Sequence, residues 1–312
     1  MIAADAARGD PRPLQEGSQS LLVVANPTRT PAGFDAAGAL RRTRGDGGDV
    51  ERIAGWLCER PQQLVVAAGG DGTARAVAAA LMTLPAAERP ALGLVPLGTA
   101  NNLARSLGLR RVRRDAAALA AALTALRRGT TRPLDLGRVN GTCFVGSCAA
   151  GMDGAILATR NRWRARWRLR GGYPLYLASC AANLLRHRPT TLALSLDGGA
   201  AVLVPAHNLL VLNTALYAGE FRFDSTDRSA DGRLDLLVAA SAVAYVRDFV
   251  SAWGRRLGAP VGAAGLRPFT TARIEAETPL ALQVDGEELA PTRTLEVVVE
   301  SGCLRVVVPS IW

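Results

Sequence analysis

The residues best suited to chemistry begin at Leu64-Val65-Val66-Ala67-Ala68-Gly69-Gly70-Asp71-Gly72-Thr73, an aliphatic run that ends in glycines and opens onto a helix-like stretch. Glycines let bare main-chain N–H groups approach an oxyanion, and the helix N-terminus that follows favours negative charge, so phosphate is the natural guest. Asp71 constrains the reading further. A carboxylate beside phosphates repels them unless a cation intervenes, so a functional Asp71 implies Mg2+. The same residues also make a plain strand-to-helix turn with Asp71 and Thr73 as caps. A dinucleotide fingerprint is absent, because the third glycine of G-x-G-x-x-G falls at Arg75.

A second loop repeats this architecture: Val95-Pro96-Leu97-Gly98-Thr99-Ala100-Asn101-Asn102-Leu103-Ala104-Arg105. Gly98 permits close approach, Thr99 offers a hydroxyl, and the two asparagines can cap a helix carrying Arg105. Two such loops at neighbouring strand ends would hold a nucleotide between them. Asn26-Pro27, which ends the first apolar run, is a third candidate.

These loops need elements to position them. From Leu21 to about Arg128, short aliphatic runs (Leu21–Ala25, Leu64–Ala67, Leu92–Val95) alternate with helix-like segments at Asp49–Glu59, Thr73–Met82, Asn101–Leu107 and Asp115–Arg128. Such alternation predicts an α/β domain, a parallel sheet with flanking helices, over residues 21–133. Ligands bind outside the carboxyl ends of strands in such sheets, where the glycine turns fall. After Pro133 strand-like runs dominate: 134–139, 142–148, 191–196, 201–211, 234–239, 270–277, 280–284, 295–300 and 304–308. That texture predicts a mainly antiparallel β-sandwich domain over 134–312, with helical inserts at 155–186, broken near Gly171-Gly172, and at 243–257. Its last segment is expected to pack back on the first domain. Residues 1–20 carry both charge signs and no apolar run, and read as a disordered leader rather than a signal peptide.

Composition narrows the function. The 312 residues are 49% hydrophobic and 21% charged, the balance of a folded globular chain. All 37 basic residues are arginine, so a P-loop and a protein-kinase site, each of which needs a lysine, are excluded. The five scattered cysteines form no C-x-x-C pair, and the two histidines, His187 and His207, lie in unrelated segments. They indicate neither a disulfide framework nor a zinc site nor a histidine triad. No run of 18 apolar residues suggests a membrane span.

Taken in order, Asn26-Pro27, Gly69-Gly70-Asp71-Gly72-Thr73, Pro96-Leu97-Gly98-Thr99-Ala100-Asn101-Asn102-Leu103-Ala104-Arg105 and Val284-Asp285-Gly286-Glu287 resemble the motifs of the diacylglycerol kinase and sphingosine kinase catalytic superfamily, in particular its soluble bacterial lipid kinases. The resemblance implies a nucleotide-binding α/β domain joined to a lipid-binding β-sandwich domain, with ATP and lipid meeting in the cleft. It implies that Asn26, Thr43, Gly69, Gly70, Asp71, Gly72, Thr73, Ala74, Arg75, Gly98, Thr99 and Asn101 hold the nucleotide, with Asp71 reaching Mg2+. It places the proton acceptor on the Asp285-Gly286-Glu287 turn, where Glu287 is the expected base and Asp285 its partner, although Asp-Gly is also a common hairpin turn. The Asp231-Gly232-Arg233-Leu234-Asp235 stretch resembles the family's structural magnesium motif and makes Asp231 a second metal candidate. Asp135, Gly151, Asp153, Asn213 and Gly219 fall at family-like positions.

Three departures alter the charge of the site. Asn102 stands where the family has Asp, Arg75-Ala76 where Asn-Glu is common, and Thr28-Arg29-Thr30 where a small Ser-Gly run follows Asn-Pro. Two acids are lost and arginine gained, so the pocket is more positive. The remaining motif is Arg160-Asn161-Arg162-Trp163-Arg164-Ala165-Arg166-Trp167-Arg168-Leu169-Arg170, which reads either as an interfacial helix at anionic lipid or as a solvated helix with its tryptophans on the core. No nucleic-acid motif accompanies the basic charge, and no pattern sets an oligomeric state. The expectation is a cytoplasmic, Mg2+- and ATP-dependent lipid kinase acting on diacylglycerol or a related lipid, peripheral at an anionic inner membrane face. The alternatives are a kinase of a soluble acceptor such as NAD and a nucleotide- or lipid-binding protein that has lost catalysis.

Overall fold

The structure, a computed structural model, describes residues 12–13, 20–36, 38–167, 172–224, 228–256 and 265–309. The chain divides into two compact units, the described residues of 1–136, 227–232 and 300–312 forming one and those of 137–226 and 233–299 the other.

The first unit runs β1 (Arg12–Pro13), β2 (Leu21–Ala25), β3 (Leu40–Arg42), α1 (Asp49–Glu59), β4 (Leu64–Gly69), α2 (Asp71–Leu81), β5 (Ala91–Pro96), α3 (Asn102–Ser106), α4 (Ala116–Arg127) and the start of β6 (Thr130–Val139). Strands β3, β2, β4 and β5 are parallel neighbours in that order, with Leu22, Val65 and Leu92 in one register row. The expected parallel sheet is present. Short β3 carries two arginines in three residues, so its apolar signal is weak in the sequence. Helix α4 starts at Asp115, whose carboxylate accepts the Ala118 N–H at 2.8 Å, and packs Leu119, Leu123 and Leu126 on Leu64, Val66 and Val95. Each such leucine stabilises the unit by roughly 1.5–3 kcal/mol at most. Within the expected leader, Arg12 and Pro13 pair with Thr131 and Thr130 of β6; the other residues before Ser20 lie outside the described ones.

The second unit contains β7 (Thr142–Phe144), β8 (Ser147–Gly151), α5 (Met152–Trp167), α6 (Tyr173–Arg186), β9 (Thr190–Leu196), β10 (Val202–Ala206) and β11 (Asn208–Leu212). It continues with β12 (Leu216–Tyr217), β13 (Phe221–Arg222), β14 (Leu234–Ala239), α7 (Ala242–Arg256), β15 (Arg267–Phe269), β16 (Thr271–Val284) and the start of β17 (Glu287–Val308). Its strand pairs are antiparallel: β15 with β14, β14 with β11, β11 with β8, β8 with β16, and β16 with both β17 and β9. Helices α5, α6 and α7 share one apolar cluster in which Ile156, Tyr176, Leu184, Tyr245 and Phe249 meet Leu210 and Leu237 of the strands.

Several strands differ from the sequence pattern. Runs 270–277 and 280–284 are one strand, β16, whose register shifts between Glu275 and Leu280 and again before Leu282, which is why polar residues interrupt the apolar alternation. Runs 295–300 and 304–308 are likewise parts of one strand, whose Val306 ends parallel to Leu92 in the first unit. The run 142–148 is two strands, because the main chain at Val145–Gly146 turns toward a carboxylate instead of a neighbouring strand. Cys143 and Cys148 therefore sit on separate strands, and all five cysteines are free thiols.

Candidate functional site

In the first unit the two glycine loops are joined at their bases. The Leu97 and Gly98 N–H groups both donate to the Gly69 carbonyl, at 2.8 and 3.0 Å. This contact requires bare backbone: a Cβ on Gly98 would lie 2.5 Å from the Gly70 Cα. A Cβ on Gly69 would lie 2.3 Å from the Thr73 hydroxyl oxygen, so Thr73 folds back under the turn. Gly69, Gly70, Asp71, Ala74, Asn101 and Leu103 line the recess so formed.

Helix α2 begins at Asp71 with Gly70 as its N-cap and no side-chain cap. Its first N–H groups are left for another acceptor, in a peptide dipole that favours an anion. Asp71 does not cap its own helix. Its carboxylate reaches across the recess and accepts the Leu103 N–H, at 3.4 Å, in the first turn of α3. Burial pushes the Asp71 carboxyl up, and the amides of Leu103, Asn102 and Asn101 oppose that shift. A cation would complete the opposition.

Asn101 holds the second loop. It adopts left-handed backbone (φ 50°), donates its amide to the Gly98 carbonyl at 3.0 Å, and is 3% exposed. Its side-chain oxygen is buried with no hydrogen-bond partner, so the recess offers an orphaned acceptor beside unclaimed donors. Thr99 is exposed at the loop tip, and Arg75 and Gly72 are half-buried in the first turn of α2. At the adjoining strand ends, Asn26 donates its N–H to Ala68 and accepts the Thr28 N–H and hydroxyl at 3.0 and 2.8 Å. Buried Thr43 donates to the Ala25 carbonyl through its N–H, at 2.9 Å, and through its hydroxyl, at 3.3 Å. The structure thus gathers Asn26, Thr43, Gly69–Arg75 and Gly98–Asn101 at the carboxyl ends of β2 to β5.

Arg114 was not singled out by sequence reasoning. Its guanidinium donates to the Leu97 carbonyl at 2.9 Å, and burial together with the positive charges of Arg29 and Arg111 makes that charge harder to hold. An anion beside the loop would relieve the repulsion. No local motif marks Arg114, because it approaches Leu97 from a separate loop.

Asp231 precedes Gly232, whose N–H is accepted by Asp135 at 2.7 Å; the other Asp135 oxygen accepts the Gly302 N–H at 2.6 Å. Asp135, 1% exposed, is thus a clamp between two turns. Among the described residues no three His, Cys, Asp or Glu side chains converge to hold a metal by themselves.

In the second unit Asp285 (φ 47°) and Gly286 (φ 82°) form the two-residue turn between β16 and β17. Both residues in left-handed backbone is the type I′ geometry that Asp-Gly favours. The Asp285 carboxylate is occupied: it accepts the Val145, Gly146 and Ser147 N–H groups at 2.8, 2.9 and 2.9 Å. Glu287, two residues on, is exposed at the start of β17. Asp153 is 5% exposed and accepts the Tyr245 hydroxyl at 2.6 Å and the Asn208 amide at 3.0 Å. Burial drives its carboxyl up despite these donors. In the basic helix, Trp163 and Trp167 stack on one face of α5 with ring centroids 5.7 Å apart, and Trp167 is 55% exposed. Arg168 and Arg170 lie outside the described residues.

Comparison with known proteins agrees with this geometry. Residues 22–139 match the diacylglycerol kinase catalytic domain. A Serratia proteamaculans protein named "Probable lipid kinase YegS-like" is 37% identical over 114 residues, which cover 36% of this chain and 35% of that one. A diacylglycerol kinase of Bacillus subtilis is 34% identical over 197 residues, covering 62% and 61% respectively. The chain therefore spans less than two thirds of the length of these curated relatives. The crystal structure of a diacylglycerol kinase from Bacillus anthracis strain Sterne superposes with a TM-score of 0.65 at 20% identity, covering 94% of this chain and 98% of that one. A further structure from the same strain gives 0.69 at 21% identity and shares the fold over 94% and 99%.

Proposed function

We propose that this chain, whose residues 22–139 match the diacylglycerol kinase catalytic domain, is an ATP-dependent lipid kinase of that superfamily that phosphorylates a hydroxyl of diacylglycerol or a related lipid. The observation that carries this reading is the uncapped start of α2 held against the Gly98 loop. It supplies main-chain donors for phosphate and, at Asn101, an acceptor for a hydroxyl or amine of the nucleotide. The donor set also fits magnesium, which commonly takes one or two carboxylates and completes its shell with phosphate oxygens and water. Asp71 would hold it, and bound there it would offset charge on the transferred phosphoryl group.

The chain's own residues then have distinct tasks. Gly69–Thr73 and Gly98–Thr99 fix the phosphates; Arg75 and Arg114 add positive charge where the family's usual acids are missing. The acceptor hydroxyl oxygen attacks the terminal phosphorus, the bond to the bridging oxygen breaks, and ADP leaves. Glu287 takes the hydroxyl proton as general base. Asp285 is the poorer candidate, since three main-chain amides already occupy its carboxylate.

A lipid acceptor calls for contact with a bilayer. No helix among the described residues is long and apolar enough to cross a membrane. Supporting a peripheral role, α7 exposes Val243, Val246, Val250 and Trp253 along one stripe, and no Asp or Glu occurs between Asp153 and Asp197 while arginines abound there. That pattern suits an anionic surface. The test is transfer of radiolabelled phosphate from ATP in micelles containing dioctanoylglycerol. Magnesium-dependent phosphatidic acid formation is expected; transfer to NAD with none to lipid would overturn the reading.

A further inference from the structure

The Asp285–Gly286 turn is held from two directions. On one side the Asp285 carboxylate gathers the Val145–Ser147 amides, and the Asp285 N–H donates to the Ser147 carbonyl at 2.9 Å. On the other, the Gly286 N–H donates to the side-chain oxygen of Gln283 at 2.8 Å. Gln283 is 3% exposed, and its Nε2 donates to the Tyr217 hydroxyl at 3.2 Å. The Tyr217 hydroxyl in turn faces the Asp153 carboxyl, which the Tyr245 hydroxyl and Asn208 amide hold. A buried chain therefore runs from the Tyr217 hydroxyl, which faces the Asp153 carboxyl, through Gln283 to the Asp285–Gly286 peptide, one residue before Glu287.

The donors and acceptors along this chain allow one arrangement. The Gly286 N–H can only donate, so the oxygen of Gln283 must face it and the NH2 must face Tyr217. With its oxygen receiving that NH2, the tyrosine keeps its own proton free for an acceptor on its other side, where the Asp153 carboxyl lies. The Gln283 amide is thus fixed at both ends, in a setting where a broken link would leave a buried polar group without a partner. Its anchor is equally constrained: α5 sits so tightly on β16 that a Cβ on Gly154, the neighbour of Asp153, would lie 2.1 Å from the Ala281 carbonyl oxygen.

We propose that Gln283, backed by Tyr217, is a positioning residue for phosphoryl transfer: it pins the Gly286 peptide and so fixes the direction in which Glu287 leaves the turn. This rests on the reading of Glu287 as the proton acceptor. The Asp285 carboxylate and N–H hold the turn from the Val145–Ser147 side, whereas the Gln283 bond constrains the plane of the Asp285–Gly286 peptide, on which the path of the chain into Glu287 depends. A base displaced by about 1 Å loses on the order of 10²-fold in rate.

The experiment compares Gln283→Met, which keeps length and apolar bulk but no amide, with Tyr217→Phe, which removes only the hydroxyl, and with Glu287→Gln. Steady-state phosphorylation of dioctanoylglycerol is measured over a pH series, alongside melting temperature. Both network variants are expected to lower kcat, Gln283→Met by about 10- to 100-fold and Tyr217→Phe less, with KM for ATP and the acidic limb of the pH profile unchanged. If Glu287→Gln is inactive but both network variants turn over like the unmodified protein, the positioning role is overturned and the base assignment stands. If Glu287→Gln turns over normally, the base assignment itself fails. Should Gln283→Met not fold, Tyr217→Phe decides: a fall in kcat at constant KM for ATP supports the role, and an unchanged kcat overturns it.

Discussion

Gly70 and Gly98 touch: a Cβ on Gly98 would stand 2.5 Å from the Gly70 Cα, and one on Gly70 would stand 3.3 Å from the Gly98 Cα. The two loops share one backbone contact, so neither can move without the other. Substituting Gly98→Ala is expected to force the loops apart, cost about 1–3 kcal/mol of stability, and weaken ATP binding. Thermal melting with and without nucleotide checks both effects. Wild-type ATP affinity in a Gly98→Ala protein would separate the contact from the site.

Asp71 is the single acid in the recess lining. Asp71→Asn keeps the size and an oxygen to accept the Leu103 N–H but removes the charge that would face magnesium. Turnover should fall by about 10²- to 10³-fold, with the melting temperature retained or raised, since a buried charge is lost. Initial rates across a magnesium titration read this out; wild-type rates at every concentration would remove Asp71 from the metal role.

Asp285 and Glu287 should separate cleanly. Asp285→Ala strips the acceptor from the Val145, Gly146 and Ser147 amides, and each orphaned donor costs about 1–3 kcal/mol where it stays buried, so unfolding in urea should shift markedly. Glu287→Gln, at an exposed position, should leave the urea midpoint in place while abolishing phosphate transfer.

Asp153 predicts a pH dependence of stability. Burial raises its folded-state pKa above the ordinary value of 3.8, so the folded protein holds this proton more tightly than the unfolded chain does. Its contribution is fully present below about pH 3.8 and is lost as pH rises through the raised folded-state value. In Asp153→Asn that decline should vanish. Urea midpoints across the acidic and neutral range would show a flatter profile for the variant; parallel profiles would contradict the assignment.

Bilayer contact through α7 makes a fifth test. Val250 and Trp253 are 62% and 48% exposed, so Val250→Asp and Trp253→Asp should not disturb the core. Each should reduce sedimentation with phosphatidylglycerol vesicles and lower lipid phosphorylation, leaving ATP affinity unchanged. Binding by the unmodified protein should weaken as salt is raised. Equal sedimentation of wild type and variants would rule out this stripe.

The sequence by itself determined the parallel α/β unit, because β2 and β4 are unbroken aliphatic runs and β5 is one broken only by Gly93, all three buried along their whole length and closed by Asn, Gly or Pro. It also located the glycine loops, since local backbone freedom is written in residue type. Tertiary structure alone decided what those residues touch. The reach of Asp71 to α3, the approach of Arg114 to Leu97 and the gathering of residues 145–147 by Asp285 all join segments distant in the chain. Local periodicity records only which face of an element is apolar; partners across 140 positions are chosen by packing, which no spacing rule contains. For the same reason the Asp-Gly pair at 285–286 read as a turn in sequence, and only the fold revealed that its carboxylate is a clamp and that Gln283 holds the Gly286 N–H within the turn.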